Sequence, residues 1–364
     1  DQKERIPRSY STQMQVMINT LNDIRTSDKQ ISGTHGIGVL MANSLMFQRF
    51  PDHNGYDDPQ FSSFYGQTLP LLKRGIPVEL VHMENTPFKD TFNGLQVLVM
   101  SYSNMKPMKS EYHNYLADWV KKGGTLVYCG EDVDPYQTVL EWWNTEGNAY
   151  KAPSEHLFEA MGLSRNPGDG TYRFGKGTVI VMREDPKHFV LKGGNDRKYF
   201  ETIASAYESK TGKKIEIKNN FMVERGPYTI AAVMDESSSK EPLKLSGLYI
   251  DLFDKGLPVL TVKQINPGEQ GYLYDLNKVS GKVKAKILCG ASRIYDEKVG
   301  RQSYSFVAKS PLHTTNVSRV LLPRKPEKVL VNGKAEQPEW DESSKTLLLS
   351  FENDPAGVNV SIEW

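Results

Sequence analysis

The chain has 364 residues, more than one hydrophobic core usually serves, so two or three domains are expected. Its 45 basic and 44 acidic side chains give a formal charge of +1, which leaves no field to draw in nucleic acid or an anionic membrane. No stretch approaches the roughly 18 to 20 apolar residues of a spanning helix, and Asp1–Arg8 lacks the apolar stretch of a signal peptide, so a soluble chain is expected.

Residues 1–34 read as an N-terminal helical segment, with Met14, Met17, Ile18 and Leu21 at helical spacing, which the resemblance described below makes a connector helix. The start on Asp1 reads as processing or a trimmed fragment. From Gly36 onward short apolar runs alternate with amphipathic stretches, the pattern of βαβ units around a parallel sheet. Strands are expected at Gly36–Met41, Pro77–Val81, Val97–Ser101, Thr125–Cys129 and Thr178–Met182.

Between them, Pro59–Arg74 reads as a helix with Phe61, Phe64, Tyr65, Leu69 and Leu72 inward, ended by Gly75. Ser110 is placed to cap a helix carrying Tyr112, Tyr115, Leu116, Trp119 and Val120. Pro135 suits the first position of a helix over Tyr136–Trp143, and Ser154–Met161 and Asp196–Ser209 complete the set. One α/β domain is therefore expected over residues 35–210.

Past Thr211 the helical period gives way to period-two runs: Lys214–Lys218, Tyr228–Met234, Leu245–Leu252, Val259–Gln264 and Tyr272–Leu276. Residues 211–300 read as one β-rich domain. Residues 301–364 read as a β-sandwich portion with strands Lys328–Val331, Thr346–Phe351 and Val358–Trp364, the first followed by the hairpin turn Asn332-Gly333. Ser237–Lys244 is a polar loop, and no internal repeat is present.

Ligands of an open parallel sheet bind beyond the carboxyl ends of its strands, which selects Asn43-Ser44, His82, Ser101-Tyr102 and Cys129-Gly130-Glu131-Asp132. Cys129, at a strand-to-helix junction, can gain thiolate character there, and because the order of strands resembles class I glutamine amidotransferases, whose nucleophilic cysteine occupies that place, it is the candidate nucleophile of an amidotransferase-like hydrolase. Against it, Val127 and Glu131 stand where the glycines of a nucleophile elbow belong, and the lone His-x-Glu triplet, His82-Met83-Glu84, precedes the cysteine. The competing reading is a buried, inert thiol.

Glu131, Asp132 and Asp134 could act as acid and base or simply charge a helix start. Tyr56, Tyr136, Tyr150, Trp142 and Trp143 could stack on sugar rings, although adjacent tryptophans cannot share one helix face. With Asn43 beside them, Tyr102, Tyr136 and Trp142 form the candidate ligand-binding set. Gly168-Asp169-Gly170 and Gly193-Gly194-Asn195 lack phosphate-loop spacing. Seven histidines without close pairing and two distant cysteines, Cys129 and Cys289, point to no metal, no cofactor and no disulfide framework.

Two groups of motifs carry a resemblance. The first is Ile37-Gly38-Val39-Leu40, then Gly66-Gln67-Thr68-Leu69-Pro70 through Gly75-Ile76-Pro77-Val78, Gly123-Gly124-Thr125-Leu126-Val127 and Phe174-Gly175-Lys176-Gly177-Thr178. The second runs from Glu224-Arg225-Gly226-Pro227-Tyr228 and Tyr249-Ile250-Asp251 to Val331-Asn332-Gly333-Lys334 and Val358–Trp364. Together they resemble the C-terminal half of β-galactosidase-like glycoside hydrolases. That half is a three-layer flavodoxin-like domain of the class I glutamine-amidotransferase kind, called the trimerisation domain, followed by all-β sandwich modules.

The resemblance implies that the catalytic carboxylates lie on an upstream barrel and that this chain is a non-catalytic accessory and oligomerisation region. It also implies carbohydrate as the parent's substrate, a homo-oligomer, and a periplasmic or extracellular location. The alternatives are a stand-alone hydrolase using Cys129 with Glu131 and Asp132, and a carbohydrate-binding module.

Overall fold

The computed structural model describes residues 7–24, 29–47, 62–191, 195–279 and 284–364. Tyr56, the expected helix start at Pro59–Phe61 and the pair Gly193-Gly194 lie outside the described residues. The chain divides into two compact units, one of Gly33–Asn219 with Ser237–Ser239, the other of Asp1–Ser32, Asn220–Glu236 and Lys240–Trp364.

The elements begin with α1 (Arg8–Asp23), β1 (Lys29–Ile31), β2 (Ile37–Met41), α2 (Ser44–Phe47), α3 (Ser62–Leu72), β3 (Glu79–His82) and β4 (Val97–Met100). They continue with α4 (Glu111–Lys121), β5 (Thr125–Cys129), α5 (Pro153–Ala160), β6 (Gly170–Phe174), β7 (Gly177–Met182), α6 (His188–Leu191) and α7 (Asp196–Thr211). Strands then take over: β8 (Asn220–Arg225), β9 (Tyr228–Val233), β10 (Leu243–Asp251), β11 (Val259–Ile265), β12 (Gln270–Asp275), β13 (Lys286–Gly290) and β14 (Arg293–Val299). The last are β15 (Ser303–Lys309), β16 (Thr315–Leu321), β17 (Lys328–Val331), β18 (Lys334–Glu336), β19 (Glu339–Asp341), β20 (Thr346–Glu352) and β21 (Val358–Glu363).

The first unit is built on a mixed sheet of order β3-β2-β4-β5-β7-β6, parallel except for the edge strand β6. β4 and β5 are buried at every position, as strands covered on both faces must be. Leu40, Leu98, Leu126 and Tyr128 share one core with Leu116 and Val120 of α4 and Leu157 and Phe158 of α5. The alternate residues Val39, Val97, Val99, Val127 and Cys129 share the other with Leu71 of α3 and Tyr199, Ile203 and Tyr207 of α7.

In the second unit, β1-β8-β9-β12-β10-β11 form one antiparallel sheet. β13-β16-β20-β19 and β14-β15-β21-β17-β18 are two more, sharing a core of Tyr304, Phe306, Val320, Leu347, Leu349, Val360 and Ile362 in the manner of a β-sandwich. Pairing of β14 with β15 runs across position 300, and β13 pairs with β16. The Asn332-Gly333 turn joins β17 to β18 with both residues at positive φ, 47° and 76°, the conformation that the dipeptide favours.

Three local expectations fail. Tyr136–Trp143 is no α-helix: a 3-10 turn, Pro135–Thr138, is followed by irregular chain. There the Asn144 side chain accepts from the Glu141 N–H at 2.9 Å and donates to the Val139 carbonyl at 2.9 Å, occupying groups a helix would use. Lys214–Lys218 is no strand, because Lys218 N–H bonds to the Arg74 carbonyl and Glu216 N–H to Thr34 Oγ1. Ser110 precedes α4 in helical conformation, and its side chain makes no capping bond.

Candidate functional site

The carboxyl ends of β2, β4, β5 and β7 deliver Asn43-Ser44, Ser101–Lys106, Gly130–Asp134 and Arg183–Asp185 to one rim of the mixed sheet. Gly130 and Asp132 turn the chain there with φ of 151° and 59°, conformations that Gly and Asp tolerate better than most residues.

Cys129 ends β5 with no exposed surface, in the core beneath α7. Burial, and then the negative charges of Glu184, Asp169 and Asp185, push its thiol well above the usual value. A nucleophilic cysteine needs the opposite, a thiolate in an electropositive and accessible place.

The neighbouring carboxylates are engaged with protein groups. Asp132 accepts from Arg183 Nη1 at 2.8 Å and Ser154 Oγ at 2.7 Å, and also from the Tyr128 hydroxyl. Arg183 lies over the Phe158 ring at 5.2 Å and the Tyr128 ring at 5.7 Å. Asp134 meets Lys106 Nζ at 2.6 Å, the two side chains being 1% and 6% exposed, and accepts from Tyr136 N–H and Gln137 Nε2 at 3.0 Å each. Lys106 Nζ also donates to the Tyr102 carbonyl at 2.5 Å. Burial lowers the Lys106 pKa, with Asp134 opposing that effect. Glu131 is exposed.

The expected ligand-binding residues differ in exposure. Tyr102 is fully buried, its hydroxyl 2.6 Å from His113 Nε2, and Tyr136 is 9% exposed. Trp142 is half-buried, donating from its indole to the Pro107 carbonyl at 2.8 Å, while Trp143 is buried and donates to the Gln137 carbonyl at 3.2 Å. Asn43 is exposed, and its N–H donates to Glu84 at 2.9 Å. Tyr150 is capped by the Arg165 guanidinium at 4.5 Å.

Sequence reasoning missed Lys106, Arg183 and the pair His113 and His156, whose Nδ1 atoms are 2.8 Å apart. His113 had a signal, since it shares the spacing of Leu116, Ala117 and Val120 on the buried side of α4. Lys106 and Arg183 had none, because their partners lie 28 and 51 residues away.

Away from the rim, an open hollow of about 520 Å³ runs between β6, β7 and α7, lined by Asp169, Arg173, Lys198, Glu201, Thr202 and Ser205 among others. It holds the exposed pair Lys198–Asp169 at 3.5 Å. Among the described residues no group of three His, Cys, Asp or Glu side chains is placed to hold a metal ion, and no helix is long and apolar enough to cross a membrane.

No protein-family model matches the chain, and a comparison with curated proteins found no match. Among solved structures the chain is similar to the beta-galactosidase from Bacillus circulans sp. alkalophilus, with 11% identity and a TM-score of 0.42 over 72% of this chain and 43% of that one. It is similar to the beta-galactosidase from the Antarctic haloarchaeon Halorubrum lacusprofundi, with 13% identity and a TM-score of 0.39 over 69% and 41%. A third likeness is to alpha-L-fucosidase isoenzyme 2 from Paenibacillus thiaminolyticus, with 9% identity and a TM-score of 0.31 over 92% and 49%. The chain thus spans less than half the length of each of these structures.

Proposed function

We propose that this chain is a non-catalytic accessory and assembly region of a glycoside hydrolase acting on plant or host polysaccharide, its catalytic barrel being a separate, upstream domain. The observation that carries the reading is the rim itself. Where a parallel sheet usually receives its ligand, Lys106 with Asp134 and Arg183 with Asp132 are internal pairs, and Cys129 is sealed in the core on the α7 side of the sheet with its thiol pushed up. Groups already satisfied by one another hold the loops in place and are poorly suited to bind substrate or move protons.

The sequence resemblance supplies the rest: a flavodoxin-like, amidotransferase-like domain stripped of its nucleophile and followed by β-sandwich modules is what such a half is built from. The strand order β3-β2-β4-β5-β7 with helices against both faces fits that domain. A periplasmic or extracellular location follows from the same reading.

The test is turnover by the purified chain. Nitrophenyl β-galactoside, α-fucoside and glutamine are expected to remain unhydrolysed. Hydrolysis of any of them that disappears in Cys129→Ser, Glu131→Gln or Asp132→Asn would overturn the proposal.

A further inference from the structure

The unit that carries the antiparallel sheets has a hollow of its own, of about 540 Å³, between the start of α1 and the turn that joins β10 to β11. The turn is fixed from within: the Asp251 N–H donates to the Pro258 carbonyl at 3.1 Å and the Leu257 N–H to the Asp254 carbonyl at 2.9 Å. Gln13 of α1 ties the helix to it, its Nε2 donating to the Phe253 carbonyl at 2.6 Å. Among the lining residues, Asp251 accepts from Lys263 Nζ at 2.6 Å and from the Phe253 N–H at 3.1 Å, the two charged side chains being 8% and 23% exposed. That bonding leaves carboxylate lone pairs and ammonium protons over for a ligand. Tyr10 and Phe253 add aromatic rings to the lining, Tyr10 with 55% of its surface exposed.

We propose that this hollow binds a neutral, polyhydroxylated ligand, that is, a carbohydrate, with Tyr10 as the stacking ring and Asp251 with Lys263 as the pair that reads hydroxyls. Charge, hydrogen bonding and apolar surface each select that chemistry. Asp251 and Asp254 are matched by Lys255 and Lys263, so the lining carries no net charge to hold an anion or a cation. An acceptor and a donor fixed side by side suit adjacent hydroxyls, each of which can both give and accept a hydrogen bond, and charged partners strengthen such bonds. The tyrosine ring beside them offers apolar area to the C–H face that a sugar ring also presents. A hollow of this size takes a ligand larger than one sugar ring, and a turn held by its own hydrogen bonds has little to reorganise on binding. The hollow against α7 has polar groups but no aromatic ring among its described lining residues, so it lacks one of these elements.

This inference deepens the accessory reading above and rests on it for the expectation that polysaccharide is at hand. The two fail separately, because a chain that neither hydrolyses nor binds sugars removes the inference and leaves that reading intact. Isothermal titration of the full chain with galactose, mannose, fucose, glucose, xylose and arabinose, and with their short oligosaccharides, is expected to give at least one dissociation constant of about 1 mM or below, tighter for the oligosaccharide than for its monosaccharide. Tyr10→Ala is expected to weaken that binding about tenfold with an unchanged melting temperature, and Tyr10→Phe to retain it. Asp251→Asn is expected to weaken it as well, and Asp254→Ala on the exposed part of the turn serves if Asp251→Asn melts early. No binding at about 10 mM of any of these sugars, sugar binding indifferent to Tyr10→Ala, or Tyr10-dependent binding of inorganic phosphate or spermine in their place would overturn the inference.

Discussion

His113 and His156 face each other through their Nδ1 atoms at 2.8 Å, so one ring must donate and the other accept, and the pair cannot both be doubly protonated. Tyr102 holds the far nitrogen of His113, while Trp142 lies edge-on to both imidazoles with ring centres at 5.6 and 5.3 Å. Glu159, the neighbouring acid, favours protonation of His156.

Burial, and then His156, hold the His113 pKa well below its usual 6.5, and burial also lowers that of His156. Because the folded state takes up protons later than the unfolded chain, the neutral pair contributes fully above pH 6.5 and loses stability as pH falls below it. The loss is at most about 1.4 kcal/mol per pH unit for each group. Urea unfolding between pH 5 and 7.5 should show this slope, flattened in His113→Asn. A pH-independent midpoint across that range would contradict the assignment.

Lys106 and Asp134 are the most deeply buried ion pair at the rim. Lys106→Met strands a buried carboxylate and is expected to lose about 3–5 kcal/mol of stability, while Lys106→Met/Asp134→Leu regains much of it. A double-mutant cycle that adds Asp134→Leu alone measures the coupling by chemical denaturation, and a double variant that loses the sum of the two single losses would show that the two do not act as a pair.

Neither thiol should react in the native state. Cys289 is buried with its pKa pushed up to about 12, and Cys129 is sealed deeper still. Iodoacetamide labelling followed by mass spectrometry is expected to modify both only at the rate of unfolding. Fast labelling of Cys129 alone would reopen the nucleophile reading.

Gly66 sits inside α3, where alanine would ordinarily favour the helix by about 1 kcal/mol. A Cβ there would come 1.8 Å from the Pro186 carbonyl oxygen. Gly66→Ala should therefore destabilise the protein by about 3 kcal/mol or more as the Pro186 segment is forced away. A melting temperature equal to or above that of the parent would refute the close approach.

The strands of the mixed sheet were legible because burial on both faces leaves continuous apolar runs, as in Val97–Met100 and Thr125–Cys129. β14 to β16 were less legible. Arg293–Val299 is exposed at nearly every position, and Thr315–Leu321 buries Asn316, Ser318 and Arg319 beside its apolar residues. The Asn316 and Ser292 side chains bond at 2.9 Å and Arg319 Nε donates to the Leu257 carbonyl at 2.8 Å, so long-range polar partners replace the apolar pattern that a strand usually displays.

At the rim, the residue types were visible and their use was not. Glu131, Asp132 and Asp134 read alike in sequence. The structure leaves Glu131 exposed, pairs Asp132 with Arg183 and buries Asp134 on Lys106.

Period and turn chemistry are local properties, and they alone determined that α1 is a helix, that β17 turns at Asn332-Gly333 and that strands dominate beyond α7. Which side of α1 is buried was decided only by tertiary structure. The chain around it offers the Thr315 and Gly290 carbonyls and a narrow space that Thr12, Val16 and Thr20 fill, so hydrogen-bond partners and fit outweighed the apolar stripe.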